Sequence, residues 1–99
     1  MNKRVLVINP NSTIKVTDGI DKACEPLRLK GGPEIECVTL PEGPPGIETQ
    51  RHVDGVVAPL LALIESRTDF DAFVIACYSD PGLHACREAT SRPVLGISE

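Results

Sequence analysis

Aromatic residues are nearly missing from these 99 residues: there is no Trp, one Tyr and two Phe. A nucleic-acid surface needs rings to stack bases and cations to neutralise phosphates. The net charge is -4 and no Lys/Arg cluster stands anywhere in the chain, so nucleic acid is not expected as a partner. Long apolar runs are lacking too. The N-terminal run Val5 to Ile8 is broken by Asn9 and Pro10, far too early for a membrane span or the apolar core of an export signal. The chain reads as soluble and cytoplasmic, with no membrane partner. Cys24, Cys37, Cys77 and Cys86 form no C-x-x-C and have no histidine at zinc-ligand spacing, so no metal is expected and reduced thiols are the default. A glycine-rich phosphate loop is also missing: Asn9 to Thr13 has neither the glycines of G-x-G-x-x-G nor the lysine of a P-loop.

What is present alternates between two periods. Val5 to Ile8 reads as a strand buried on both faces and stopped by Pro10. Asn11 or Ser12 can cap a helix carrying Val16, Ile20, Ala23 and Leu27, which Pro26 should end early. Ile35 to Leu40 fits a second strand, and residues 41 to 49, PEGPPGIET, an irregular loop. Val53, Val56, Val57, Leu60 and Ile64 predict one amphipathic helix bent at Pro59. A third strand spans Asp71 to Cys77. Ser79 or Asp80 then caps a helix from Pro81 to about Ala89, and Val94 to Ile97 is the fourth strand. Strand and helix alternation predicts a single α/β lobe over residues 1–99: a four-stranded parallel sheet with helices on both faces, flavodoxin-like.

In such sheets ligands bind beyond the carboxyl ends of the strands. That rim gathers Asn9 to Ser12, the loop around Gly43 to Glu48, and Cys77 to Gly82, and Gly96 to Glu99 joins them. Asn9, Asn11 and Ser12 can hydrogen-bond a small polar substrate, although a helix cap explains Asn11 or Ser12 equally well. Cys77, placed just before a helix N-terminus, is favoured as a thiolate, and the amides of Tyr78, Ser79 and Gly82 can cradle an oxyanion. Together they suit removal of a proton next to a carbonyl. A small core cysteine satisfies the same spacing. His84-x-Cys86 followed by Arg92 imitates a phosphatase loop, but it falls inside a helix, and Cys86, Cys24 and Cys37 are expected to pack. His52 and His84 are expected to be solvated. The first strand lacks an acidic pair, which excludes a receiver domain.

VINPNS (Val7 to Ser12), GPPGIE (Gly43 to Glu48), IACYSDPGLHACRE (Ile75 to Glu88) and PVLGISE (Pro93 to Glu99) together resemble the aspartate, glutamate and hydantoin racemase superfamily, in its hydantoin and allantoin racemase branch. The resemblance implies cofactor-independent racemisation by two cysteines on opposite faces of the substrate, with Cys77 matching the first. It implies that Tyr78 and Ser79 bind the substrate carbonyl or carboxylate. It also implies that Asn11 lines the cleft and that the loop with Gly46 and Ile47 covers the substrate. Members of the family carry two lobes of about this size, so the chain matches the N-terminal lobe and a C-terminal lobe holding the second cysteine is missing. Ser79-Asp80 stands where amino-acid racemases carry Asn-Thr, which disfavours a free amino acid. The expected substrate is a hydantoin, allantoin or related carbonyl compound, and self-association through an uncovered apolar face is expected. A maleate isomerase-like activity, an amino-acid racemase and a non-catalytic module binding small anions or dimerising remain as alternatives, while Cys77 counts against an arylmalonate decarboxylase, whose cysteine the resemblance places in the other lobe.

Overall fold

A computed structural model describes residues 2–99. β1 (Arg4–Asn9), β2 (Glu34–Thr39), β3 (Ala72–Ile75) and β4 (Val94–Gly96) form one parallel sheet in the order β2-β1-β3-β4. Between them run α1 (Ile14–Cys24) with a 3₁₀ turn (Glu25–Leu27), α2 (Gln50–Gly55), α3 (Val57–Ser66) and α4 (Leu83–Ala89). The predicted alternation is the observed one.

Period-two burial divides the sheet. Leu6 and Ile8 of β1, Phe73 and Ile75 of β3 and Val94 of β4 join Leu60 and Ile64 of α3 and Leu83 and Cys86 of α4 in one core. The opposite face carries Val7 and Asn9, and α1 lies over it through Thr17.

Several local expectations change. The helix after the loop is broken at Val56 instead of bent at Pro59. A proline ring collides with the carbonyl of residue i−4, here Gly55, and cannot donate to it. Pro59 therefore occupies the first turn of α3, where its missing N–H is no loss. The inward side of α1 runs through Thr17, Ile20 and Cys24, one position away from the expected stripe, leaving Val16 42% and Leu27 61% exposed. The N-cap position of α1 is Thr13, not Asn11 or Ser12, because the Asn11 carboxamide is taken up by Asn9. Pro26 does end the helix, converting its last residues to the 3₁₀ turn.

Asn9, at the end of β1 and 2% exposed, is the polar pivot of this end of the sheet. Its Nδ2 donates to Asn11 Oδ1 (2.8 Å), Thr17 Oγ1 (3.0 Å) and the Thr13 carbonyl (3.3 Å), and its Oδ1 accepts from the Asn11 amide (3.2 Å). Thr17 Oγ1 meets Thr39 Oγ1 at 2.6 Å, which ties α1 to the end of β2. The loop after β2 is sewn to the same turn. Ser12 N donates to the Pro44 carbonyl (2.9 Å), and Thr13 Oγ1 to that of Pro45 (2.6 Å). Gly43 sits so close to the Pro10 carbonyl that a Cβ would collide with backbone.

Two expectations follow. Gly43→Ala destabilises the fold by about 2 kcal/mol, since no flexible side chain can give way, whereas Gly46→Ala, whose Cβ would find nothing nearer than 3.7 Å, changes stability by less than about 0.5 kcal/mol. Asn9→Ala strands buried partners and costs about 3 kcal/mol. Urea denaturation of the three variants, read as shifts in midpoint at constant slope, checks both.

Candidate active site

The carboxyl ends of the strands deliver Asn9, the loop after β2, Cys77 and Ile97 to one rim. There they enclose a hollow of about 320 Å³ with Asn9, Asn11, Ile47, Cys77 and Tyr78 in its lining. Of the other residues expected at the site, Ser12, Gly46 and Ser79 do not line the hollow: Ser12 and Gly46 stand on the sewn loops, and the Ser79 hydroxyl lies 3.4 Å from Cys77 Sγ. Tyr78 is 84% exposed, so its ring stands at the mouth.

The chain does not pass from Cys77 straight into a helix. The Asp80 amide donates back to the Cys77 carbonyl (3.0 Å), closing a tight turn in which Asp80 adopts φ 46°. Such left-handed backbone at a non-glycine residue is strained and is found where surroundings over-determine it. Gly82, also left-handed, then takes the N-cap position and α4 opens at Leu83. Pro81 lies before the helix, and neither Ser79 nor Asp80 caps it. The influence of a helix dipole fades within a turn, and α4 opens only at Leu83, so its N-terminus does not give Cys77 the support expected there. What the turn offers instead is a pair of amides, Tyr78 and Ser79, that enter no backbone hydrogen bond among the described residues.

Asp80 holds the turn against the end of β4. Its Oδ1 accepts from the Ser98 amide (3.1 Å), and it packs so tightly on Gly96 that a Cβ there would collide with the carboxylate. Arg87 clasps Glu99 through both carboxylate oxygens at 2.6 Å, and Glu99 Oε1 accepts from the Gly96 amide (3.2 Å). That pairing lowers the Glu99 pKa, the Arg87 hydrogen bond being the main cause. These anchors set Ile97 against the hollow. Ile97 belongs to the Gly96 to Glu99 segment expected at this rim, whereas Val16 and Ile20 were not legible as part of a site, because in the sequence they read only as apolar members of a helix.

The remaining thiols lie elsewhere. Cys86 is fully buried in the core, and burial, with Glu65 nearby, pushes its thiol up to about 11. Cys37 of β2 is pushed up to about 12, first by burial and then by its neighbour Cys24. His52 is less free than expected, since its Nδ1 accepts from the Glu48 amide (3.0 Å) and braces the loop.

Residues 5–99 match the family model described as Asp/Glu/Hydantoin racemase. The hydantoin racemase of Pseudomonas sp. (strain NS671) is 40% identical over 100 residues, which are 97% of this chain and 39% of that protein. That of Paenarthrobacter aurescens is 36% identical over 97% of this chain and 42% of its own length. Among solved structures, an allantoin racemase from Klebsiella pneumoniae superposes with a TM-score of 0.90 at 35% identity, covering 99% of this chain and 40% of that one. Another, from Pseudomonas fluorescens, gives 0.85 at 25% identity. The chain thus spans about two-fifths of the length of the curated relatives it matches. A sheet shared with these racemases, and a family match running from the first strand to the last residue, make this chain a member of the Asp/Glu/Hydantoin racemase family.

Proposed function

We propose that Cys77 is one of the two acid–base groups of a cofactor-independent racemase acting at C5 of a 5-substituted hydantoin or of allantoin. The observation that carries this reading is the position of Cys77, the one cysteine at the strand ends, followed directly by two amides free to receive an oxyanion.

As its thiolate, Cys77 Sγ takes the C5 hydrogen as a proton. The C–H electron pair moves into the ring and onto the adjacent carbonyl oxygen, giving an enolate. The Tyr78 and Ser79 amides hold the developing charge, which is where preorganised donors act most strongly. Asn11 Nδ2 donates to a ring carbonyl, while its Oδ1 is already engaged by Asn9 and the Thr13 amide. Asn9 belongs to this scheme as a positioning residue, because every bond of its carboxamide is spent on orienting Asn11 and the first turn of α1. Gly46 and Ile47 close over the ring. A second thiol on the opposite face then gives its proton to C5, and the two cysteines end with thiol and thiolate exchanged.

That second thiol is supplied from outside these residues. Cys86 is enclosed by the core, while Cys24 and Cys37 meet each other away from the hollow. A second lobe or a second copy of the chain, seated on the exposed rim of Val16, Tyr78 and Ile97, would complete the site. The same rim favours the other reading, a module that binds and dimerises without chemistry. Four free thiols suit a reducing, cytoplasmic setting. No described helix is long and apolar enough to cross a membrane.

Incubation of one enantiomer of 5-benzylhydantoin in deuterated buffer tests the chemistry. Cys77→Ser is expected to reduce the catalysed loss of the C5 hydrogen by roughly 100-fold or more, the usual scale of general acid–base catalysis. Inversion should lag behind exchange in the isolated chain. Equal exchange in both proteins would sink the proposal. A separate check is alkylation with iodoacetamide near neutral pH followed by peptide mass mapping, where Cys77 is expected to react well before the buried Cys86 and before Cys37.

A further inference from the structure

Much of the hollow that Cys77 lines is apolar. Val16 and Ile20, one turn apart on α1, and Ile97, beyond β4, converge on the hollow with Ile47. Its polar groups are mostly spent: the Asn9 carboxamide is satisfied inside the fold, and Asn11 Oδ1 accepts from Asn9 Nδ2 and the Thr13 amide. No Lys, Arg, His, Asp or Glu lines the hollow among the described residues. The donors left free, Asn11 Nδ2 and the Tyr78 and Ser79 amides, are those assigned to the ring, so a substituent carrying donors and acceptors, such as a ureido group, would find no partner on the wall of Val16, Ile20 and Ile97, and a carboxylate would meet no cation. An alkyl or aryl group would gain from the same burial.

We infer that Val16, Ile20 and Ile97 determine specificity at this site and select a neutral hydantoin ring whose C5 substituent is apolar, in preference to the ureido group of allantoin. The inference rests on the racemase reading for the placement of the ring beside Cys77. Its geometric basis is independent of any proton transfer. Ile97 is held in place by the Ser98 amide on Asp80 and by its own amide on the Ile75 carbonyl (3.4 Å), so the wall is built into the fold. Val16 and Ile97 are 42% and 47% exposed, which allows their replacement without loss of core packing.

Titration of the ¹⁵N-labelled chain with 5-isobutylhydantoin and, separately, with allantoin compares two neutral ligands that share a ring. The amides of Val16, Ile20, Cys77 and Ile97 are expected to shift with both ligands, with half-saturation at a roughly tenfold lower concentration for the isobutyl compound, the scale on which apolar pockets discriminate. In Val16→Thr/Ile97→Thr the gap should narrow to about threefold or less. Equal or tighter binding of allantoin, shifts confined to another part of the chain, no binding of either compound, or an unchanged ratio in the variant would each overturn the assignment. Because binding alone is read, a failure of Cys77 to catalyse exchange leaves this result standing, and a failure of the preference leaves the Cys77 chemistry untouched.

Discussion

One buried carboxamide organises the working end of this molecule. Asn9 sits where β1 leaves the sheet, a place where strand hydrogen bonding stops and buried polar groups still require partners. Its own bonds satisfy the turn that follows, and Thr17 passes the connection to Thr39 on the neighbouring strand. A polar network of this kind is stable only when complete, since each unpaired member costs more in a dry interior than it does in water. No buried side-chain nitrogen or oxygen among the described residues lacks a partner. Within this network α1 turns Thr17 to the sheet, and in that orientation Val16 and Ile20 line the hollow.

The opposite end of the sheet is built for cohesion. Arg4 and Arg67 lie over the Phe70 ring at 4.3 and 4.6 Å and share the carboxylates of Glu36 and Asp69. Hydrogen bonding from Arg4 is the main reason the Asp69 pKa is lowered. Exposed ion pairs contribute little singly, but stacking on an aromatic face gives this cluster a fixed geometry. The amino ends of the strands are thereby closed off with charge, while the carboxyl ends open on a hollow that no charged side chain lines among the described residues, and the sheet acquires a direction before any ligand is considered.

Much of this was legible in the sequence because it depends on short-range signals. Continuous β-branched runs marked β1 and β3, proline marked the end of α1, and Cys77 followed by Asp-Pro-Gly marked a turn at a strand end. Features set by contacts between distant segments were not legible. The inward side of α1 is chosen by Thr17 bonding to Asn9 and Thr39, and a pattern of apolar residues cannot reveal a helix that turns a hydroxyl to the sheet. The delayed start of α4 depends on Asp80 in left-handed backbone, supported by Ser98 from the far end of the chain. A proline inside a run of helical period predicts a bend at Pro59, and the sequence alone does not reveal that the helix instead stops at Gly55 and restarts at Val57.

The loop after β2 is secured on both sides of a very short interval. Before it stand the contacts of Gly43, Pro44 and Pro45 with the Pro10 to Thr13 turn; after it stands the brace between Glu48 and His52. Gly46 and Ile47 are all that lie between. Gly46, whose Cβ would meet nothing nearer than 3.7 Å, can therefore accept a side chain without disturbing the scaffold, whereas Ile47 is tied down a second time by its packing against the core.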